Sequence, residues 1–198
     1  MSLPTGVARP NIALTGPLRS GKDEIGNRLC QRHGYVRFAF GDGIKDVCRR
    51  LYPDRFADKA GNRKKPRALL QGVGQALRQF DEDIWVRQCF AEIEDSQGIA
   101  GHYGIVERAV ITDLRQPNEY ERCRAEGFVI IRVKAAAGLR IQRAVESSDT
   151  FAAADLTHET EQHTDGFDVD YEIVNDGTLD ELYRRVDELM TEIDGGAS

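Results

Sequence analysis

The chain has 198 residues, and its 27 Lys and Arg against 33 Asp and Glu leave a net charge of −6. That balance argues against a general binder of nucleic acid or anionic membrane, which needs a basic face. A chain this long buries about 70 % of its unfolded surface without disulfide staples, so a single cytoplasmic domain is expected. Its cysteines (Cys30, Cys48, Cys89 and Cys123) lack the close spacing of zinc or dithiol motifs and read as free thiols. No apolar run approaches the roughly 20 residues of a membrane span.

Residues 1–10 carry no apolar signal core and read as a loose leader. A first strand, Asn11–Thr15, then runs into Gly16-Pro-Leu-Arg-Ser-Gly-Lys-Asp23, followed by a helical stretch through Leu29. Two glycines five apart followed by Lys, between a strand and a helix, form a phosphate-loop pattern. Glycines let backbone N–H groups turn around an anion, and the helix N-terminus adds its positive end. Gly16, Leu18, Arg19, Ser20, Gly21 and Lys22 are therefore candidate nucleotide-binding residues, with Lys22 bridging the β- and γ-phosphates. Position 23, normally a Ser or Thr that holds magnesium, is Asp23, whose carboxylate can serve the same ion. Glu24 follows: it cannot donate to a phosphate, and an acidic residue in a first helical turn also suits the helix dipole.

A second strand is expected at Val36–Phe40, with Asp42 as the N-cap of the next helix or in contact with an acceptor. After Pro66, residues Leu69, Leu70, Val73, Leu77 and Phe80 share one helical face. Gly98, Gly101 and Gly104 mark a mobile connection before a third strand, Ala109–Asp113. Asp113, at the end of that strand, is a candidate for orienting magnesium or a water; its bland role is to cap the Pro117–Arg124 region. Further strands are expected at Phe128–Val133 and Asp170–Val174. Between them, Arg140 and Arg143 sit three apart on one side of a helix beside the small, polar stretch 146–155, which reads as a flap. Before closure these arginines are expected in water, far from the loop. Thr178-Leu-Asp-Glu181 is a capping box, opening a helix with the stripe Leu182, Val186, Leu189 and Ile193. Strands alternating with helices imply a parallel sheet wrapped on both faces. His158 and His163, with Glu159 and Glu161 nearby, lie five apart and do not stack on a helix face, so no metal site is expected there.

Gly-Lys-Asp in the loop resembles the deoxynucleoside monophosphate kinases of tailed phages and their prophage relatives. Phe40-Gly-Asp-Gly-Ile-Lys45, Lys65-Pro-Arg67 with Leu69-Leu-Gln71, Asp83-Ile-Trp85, Asp113-Leu-Arg-Gln-Pro-Asn-Glu119, His158-Glu-Thr-Glu161 and Asn175-Asp-Gly177 are similar to further motifs of that family, in order. Glu24 stands where the family usually keeps Thr, and Gly43 replaces a proline. The resemblance implies a P-loop core of five parallel strands in the order 2-3-1-4-5, with an acceptor arm at about 45–95 and a lid at about 137–165. It implies phosphoryl transfer from ATP and Mg2+ to a (deoxy)nucleoside monophosphate. Lys22, Arg115, Arg140 and Arg143 would be catalytic, Asp23, Glu24, Asn175 and Gly177 would join the nucleotide site, and Asp23 and Asp113 would hold metal. Asp42, Lys45, Arg67, Gln71, Trp85, Arg115, Asn118 and Glu119 would serve the acceptor, although Trp85 equally suits the core. Another small-molecule kinase (dephospho-coenzyme A or phosphomevalonate type) and a nucleotide binder without transfer stay open, as does monomer against homodimer.

Overall fold

The computed structural model describes residues 9–57, 66–146 and 164–196. Runs of branched and aromatic residues form β1 (Ile12–Thr15), β2 (Tyr35–Phe38), β3 (Arg108–Leu114), β4 (Val129–Lys134) and β5 (Tyr171–Val174). All pair in parallel, in the order β2-β3-β1-β4-β5. The helices are α1 (Lys22–His33), α2 (Phe40–Leu51), α3 (Arg67–Arg78), α4 (Ile84–His102), α5 (Pro117–Ala125), α6 (Ala137–Glu146) and α7 (Leu179–Gly196).

Successive strand side chains alternate between faces, so β1 to β4 feed two cores, while edge strand β5 feeds one. Ile12, Leu14, Ile131 and Val133 pack on Ile25 and Leu29 of α1 and on Leu182, Val186, Met190 and Ile193 of α7. Ala13, Ile111 and Ile130 face Val86, Cys89, Phe90 and Ile93 of α4 and Cys123 of α5. Burial on both sides is why these strands read as nearly continuous apolar runs. Cys48, Cys89 and Cys123 are buried free thiols and Cys30 is half-buried. Among the described residues no helix is long and apolar enough to cross a membrane.

β3 carries one residue more than β1 between the Ala13–Ile111 and Thr15–Leu114 pairs. Bulges of this kind bend a strand where a site is built, and this one lies beside Asp113. Thr15 Oγ1 closes the irregularity by donating to the Leu114 carbonyl at 3.1 Å.

Several expectations are corrected. Phe40 starts α2 rather than ending β2, and Ala39, not Asp42, is the N-cap. Gly98 and Gly101 lie inside α4, where buried Phe90, Ile93 and Ala100 hold the helix down; Gly104 alone of the three lies beyond it, in a left-handed conformation (φ 72°). Phe80 falls past the end of α3 and is 88 % exposed, so it leaves the apolar face. Met190 joins the buried stripe of α7, and Leu189 packs against it only partly buried. Arg9 and Pro10 are tied down: Arg9 pairs with Asp194 at 2.6 Å, and Tyr35 donates to the Pro10 carbonyl at 2.9 Å. The flap at 146–155 lies, from 147 onward, outside the described residues, as do His158, His163, Glu159 and Glu161.

Candidate active site

The phosphate loop links the end of β1 to α1, at the carboxyl ends of the strands. Gly16 (φ 130°) and Gly21 (φ 102°) adopt conformations that side-chain-bearing residues avoid. Space is as strict as torsion: a Cβ on Gly16 would collide with the Val133 carbonyl, and one on Gly21 with the Asn175 amide. Lys22 is only 6 % exposed, and its ammonium donates to the carbonyls of Gly16 (2.5 Å) and Pro17 (2.8 Å). The charge is thus held inside the curl of the loop. Ser20 is buried, and among the described residues its hydroxyl oxygen has no hydrogen-bond partner. Asp23 and Glu24 are exposed on the first turn of α1. Glu24 accepts from the Tyr183 hydroxyl at 3.3 Å, as a surface residue facing α7.

Behind the loop, Asn175 follows β5 and is 5 % exposed. Its Nδ2 donates to the Ser20 carbonyl at 2.8 Å, and its backbone N–H to the Lys134 carbonyl at 2.7 Å. Gly177 leads into the capping box, where Thr178 N–H donates to Glu181 at 2.7 Å; a Cβ on Gly177 would strike that carboxylate. The arginines of α6 are not in open water, which corrects the expectation. Arg140 reaches the Leu18 carbonyl at 3.4 Å, and Arg143 donates to Asn175 Oδ1 at 3.2 Å. Both are half-buried, because α6 lays this face against the loop. Among the described residues, Arg140 Nε and Arg143 Nη1 are buried without hydrogen-bond partners.

Near the end of β3, Asp113 accepts from the Phe40 N–H (2.8 Å) and the Gly41 N–H (3.0 Å). It therefore caps α2 across the sheet, not the Pro117–Arg124 region. Asp42 binds Lys45 (2.6 Å) and Arg37 (2.8 Å); burial works to raise its pKa, but these two cations outweigh it and hold it low. Arg67 and Arg115 are half-buried, and Gln71 is exposed. Trp85 is corrected to a core residue: it is 1 % exposed, with its indole N–H on the Gly74 carbonyl at 3.1 Å, leaving no face for a base. Asn118 ties α5 to the turn before α4, donating to Asp83 at 2.8 Å. Glu119 is buried too, accepting from the N–H groups of Arg115 (2.8 Å) and Gln116 (3.0 Å) in a capping box. Asn118 thus joins α5 to the start of α4, and Glu119 fixes the main chain at Arg115.

Sequence reasoning missed three residues here. Arg37 holds Asp42, Arg78 lies 3.7 Å from Glu119, and Gln88 fills the space over Gly43, where a Cβ would lie 2.7 Å from its amide. Their partners are remote in the chain, except for Arg37, so no local pattern signals them.

Burial, with Asp113 nearby, pushes the Glu119 pKa from 4.5 up to about 7. The folded state then holds a proton that the unfolded state has released, so stability falls as pH rises from about 4.5 to about 7. Glu119→Gln keeps an acceptor without the charge. Urea melts at pH 5 and pH 8 are expected to show the wild type losing up to about 3 kcal/mol relative to this variant at the higher pH. A pH-independent difference would show that Glu119 stays ionised throughout.

Such a sheet, with a phosphate loop leaving its central strand, defines the class of P-loop kinases. Solved structures share the fold: a sugar kinase from Janibacter sp. (16 % identical, TM-score 0.57, 96 % of this chain and 98 % of that one) and dephospho-CoA kinase from Campylobacter jejuni (12 % identical, TM-score 0.53, 95 % and 98 %). Within that class, the chain belongs to the deoxynucleotide monophosphate kinase family, whose sequence model matches residues 55–186. A deoxynucleotide monophosphate kinase of Escherichia phage RB69 is 30 % identical over 126 residues, 63 % of this chain and 44 % of that protein. The chain thus spans less than half the length of the curated relatives it matches.

Proposed function

We propose that the protein transfers the γ-phosphoryl group of ATP to a (deoxy)nucleoside monophosphate, yielding a diphosphate and ADP. The observation that carries this reading is the meeting of Lys22 and Arg140 on one phosphate loop, with Arg143 beside it on Asn175. Family membership and the name of the phage relative support the acceptor class. The backbone from Gly16 to Gly21 cradles the donor phosphates, and Lys22 holds the transferred group in line. Arg140 and Arg143 neutralise charge that spreads over its oxygens as the bond breaks. Arg67 and Arg115 grip the acceptor phosphate as planar forks, with Asp42, Lys45 and Gln71 beside them. That phosphate is already ionised, so no general base is required. Residues about 45–95 act as acceptor arm and about 137–165 as lid of a single kinase domain, working in the cytoplasm as a monomer or homodimer.

The residues present fit magnesium. Asp23 is exposed on the first turn of α1, and Asp113 keeps unused lone pairs beyond its two amide bonds. One or two carboxylates with waters are the usual surroundings of that hard ion. When bound, magnesium supplies charge neutralisation on the phosphates. Asp23→Asn is expected to raise the magnesium needed for half-maximal rate more than the ATP needed; an unchanged magnesium titration would make Asp23 a surface residue only.

The test of function is a panel of nucleoside and deoxynucleoside monophosphates, with dephospho-coenzyme A and phosphomevalonate as controls, each incubated with ATP. A new diphosphate from at least one nucleotide supports the reading. ATP binding without ADP formation on every acceptor would select a binding protein instead.

A further inference from the structure

We propose that Asn175 is a positioning residue that couples Arg143 to the phosphate loop through its two-ended side-chain amide. The proposal rests on the phosphate-loop reading and adds how the loop is held. The donor end of the amide is on the Ser20 carbonyl (2.8 Å) and the acceptor end receives Arg143 (3.2 Å), whose guanidinium also reaches the Asn175 backbone carbonyl at 3.4 Å. The amide can stand only this way round: a carbonyl accepts and a guanidinium donates, so neither contact survives a flip. Its backbone is anchored to β4 through Lys134, and its Nδ2 fills the space a side chain on Gly21 would need. The amide is planar and almost wholly buried, so it cannot swing to lose one partner and keep the other. Arg143 stands on a different helix, yet its position reaches the loop in one step through Ser20, two residues before Lys22. Arg143 therefore acts on the loop from behind as well as on the transferred group.

Asparagine-to-aspartate separates the two contacts. Asn175→Asp keeps the acceptor for Arg143 but sets an oxygen against the Ser20 carbonyl, whereas Arg143→Ala removes the other partner. The experiment measures backbone hydrogen exchange of residues 16–22 without nucleotide, relative to Ile12–Leu14 of β1 in the same protein, together with turnover and the Michaelis constant for ATP. Normalising to β1 cancels general destabilisation. Asn175→Asp and Asn175→Ala are expected to speed loop exchange about tenfold or more, the scale of one buried hydrogen bond left unmade. Asn175→Ser, which retains a short donor, is expected to recover part of the protection. Arg143→Ala combined with Asn175→Ala is expected to loosen the loop no further than Asn175→Ala alone, because the two act through one amide. Unchanged loop exchange in both Asn175→Asp and Asn175→Ala, or fully additive effects of the Arg143 and Asn175 changes, would overturn the proposal. Loop exchange is read without substrate, so it decides the coupling even where the acceptor panel shows no transfer; that panel alone decides the function.

Discussion

Lys22→Ala is expected to lower turnover by about 10²–10³-fold or more while the fold persists, since it removes an oriented charge at the transferred group. The ammonium sits inside the loop, 6 % exposed, on two backbone carbonyls. Each lost bond contributes about 1 kcal/mol of stability, too little to unfold a chain of this size. Steady-state kinetics beside a calorimetric melt separate the two effects. Near-normal turnover in a folded Lys22→Ala protein would contradict the phosphate-loop assignment.

Arg143→Ala is expected to reduce turnover by about 10²–10³-fold, with the acceptor's Michaelis constant changed only a few-fold. Its contact with Asn175 sets it beside the phosphate loop, and the proposed function assigns it to the transferred group, where its charge counts most as the bond breaks. Arg115→Ala is expected to behave in the opposite way, chiefly raising the acceptor's Michaelis constant, because it is assigned to the ground-state grip on that phosphate. Normal turnover with weakened acceptor binding in Arg143→Ala would move that arginine to the acceptor side and remove α6 from the lid.

Much of this architecture was legible because its signals are local. The phosphate loop is one contiguous stretch whose glycines, lysine and flanking elements all lie within about 20 residues. The strands were visible to within a residue or two, β2 with the largest offset, at its end. Phe40 has a strand-like side chain, yet it opens α2 because Asp113, 73 positions later, accepts from its N–H. Trp85 shows the same limit: whether an indole meets a base or a core depends on α3 lying over it, with the Gly74 carbonyl in reach. Glu119 was legible in principle, since Gln116 with Glu119 has the spacing of a capping box, but the family motif suggested acceptor contact instead. The docking of Arg143 on Asn175 spans 32 residues and has no local signature.

The most direct measurement follows the label of γ-labelled ATP after incubation with the wild-type protein, magnesium and the monophosphate acceptors, with Lys22→Ala as the control. The expected result is label recovered in the terminal phosphate of a nucleoside diphosphate, one ADP formed for each, and neither with the control. Label remaining in ATP, or released as inorganic phosphate with every acceptor, would contradict nucleoside monophosphate kinase activity.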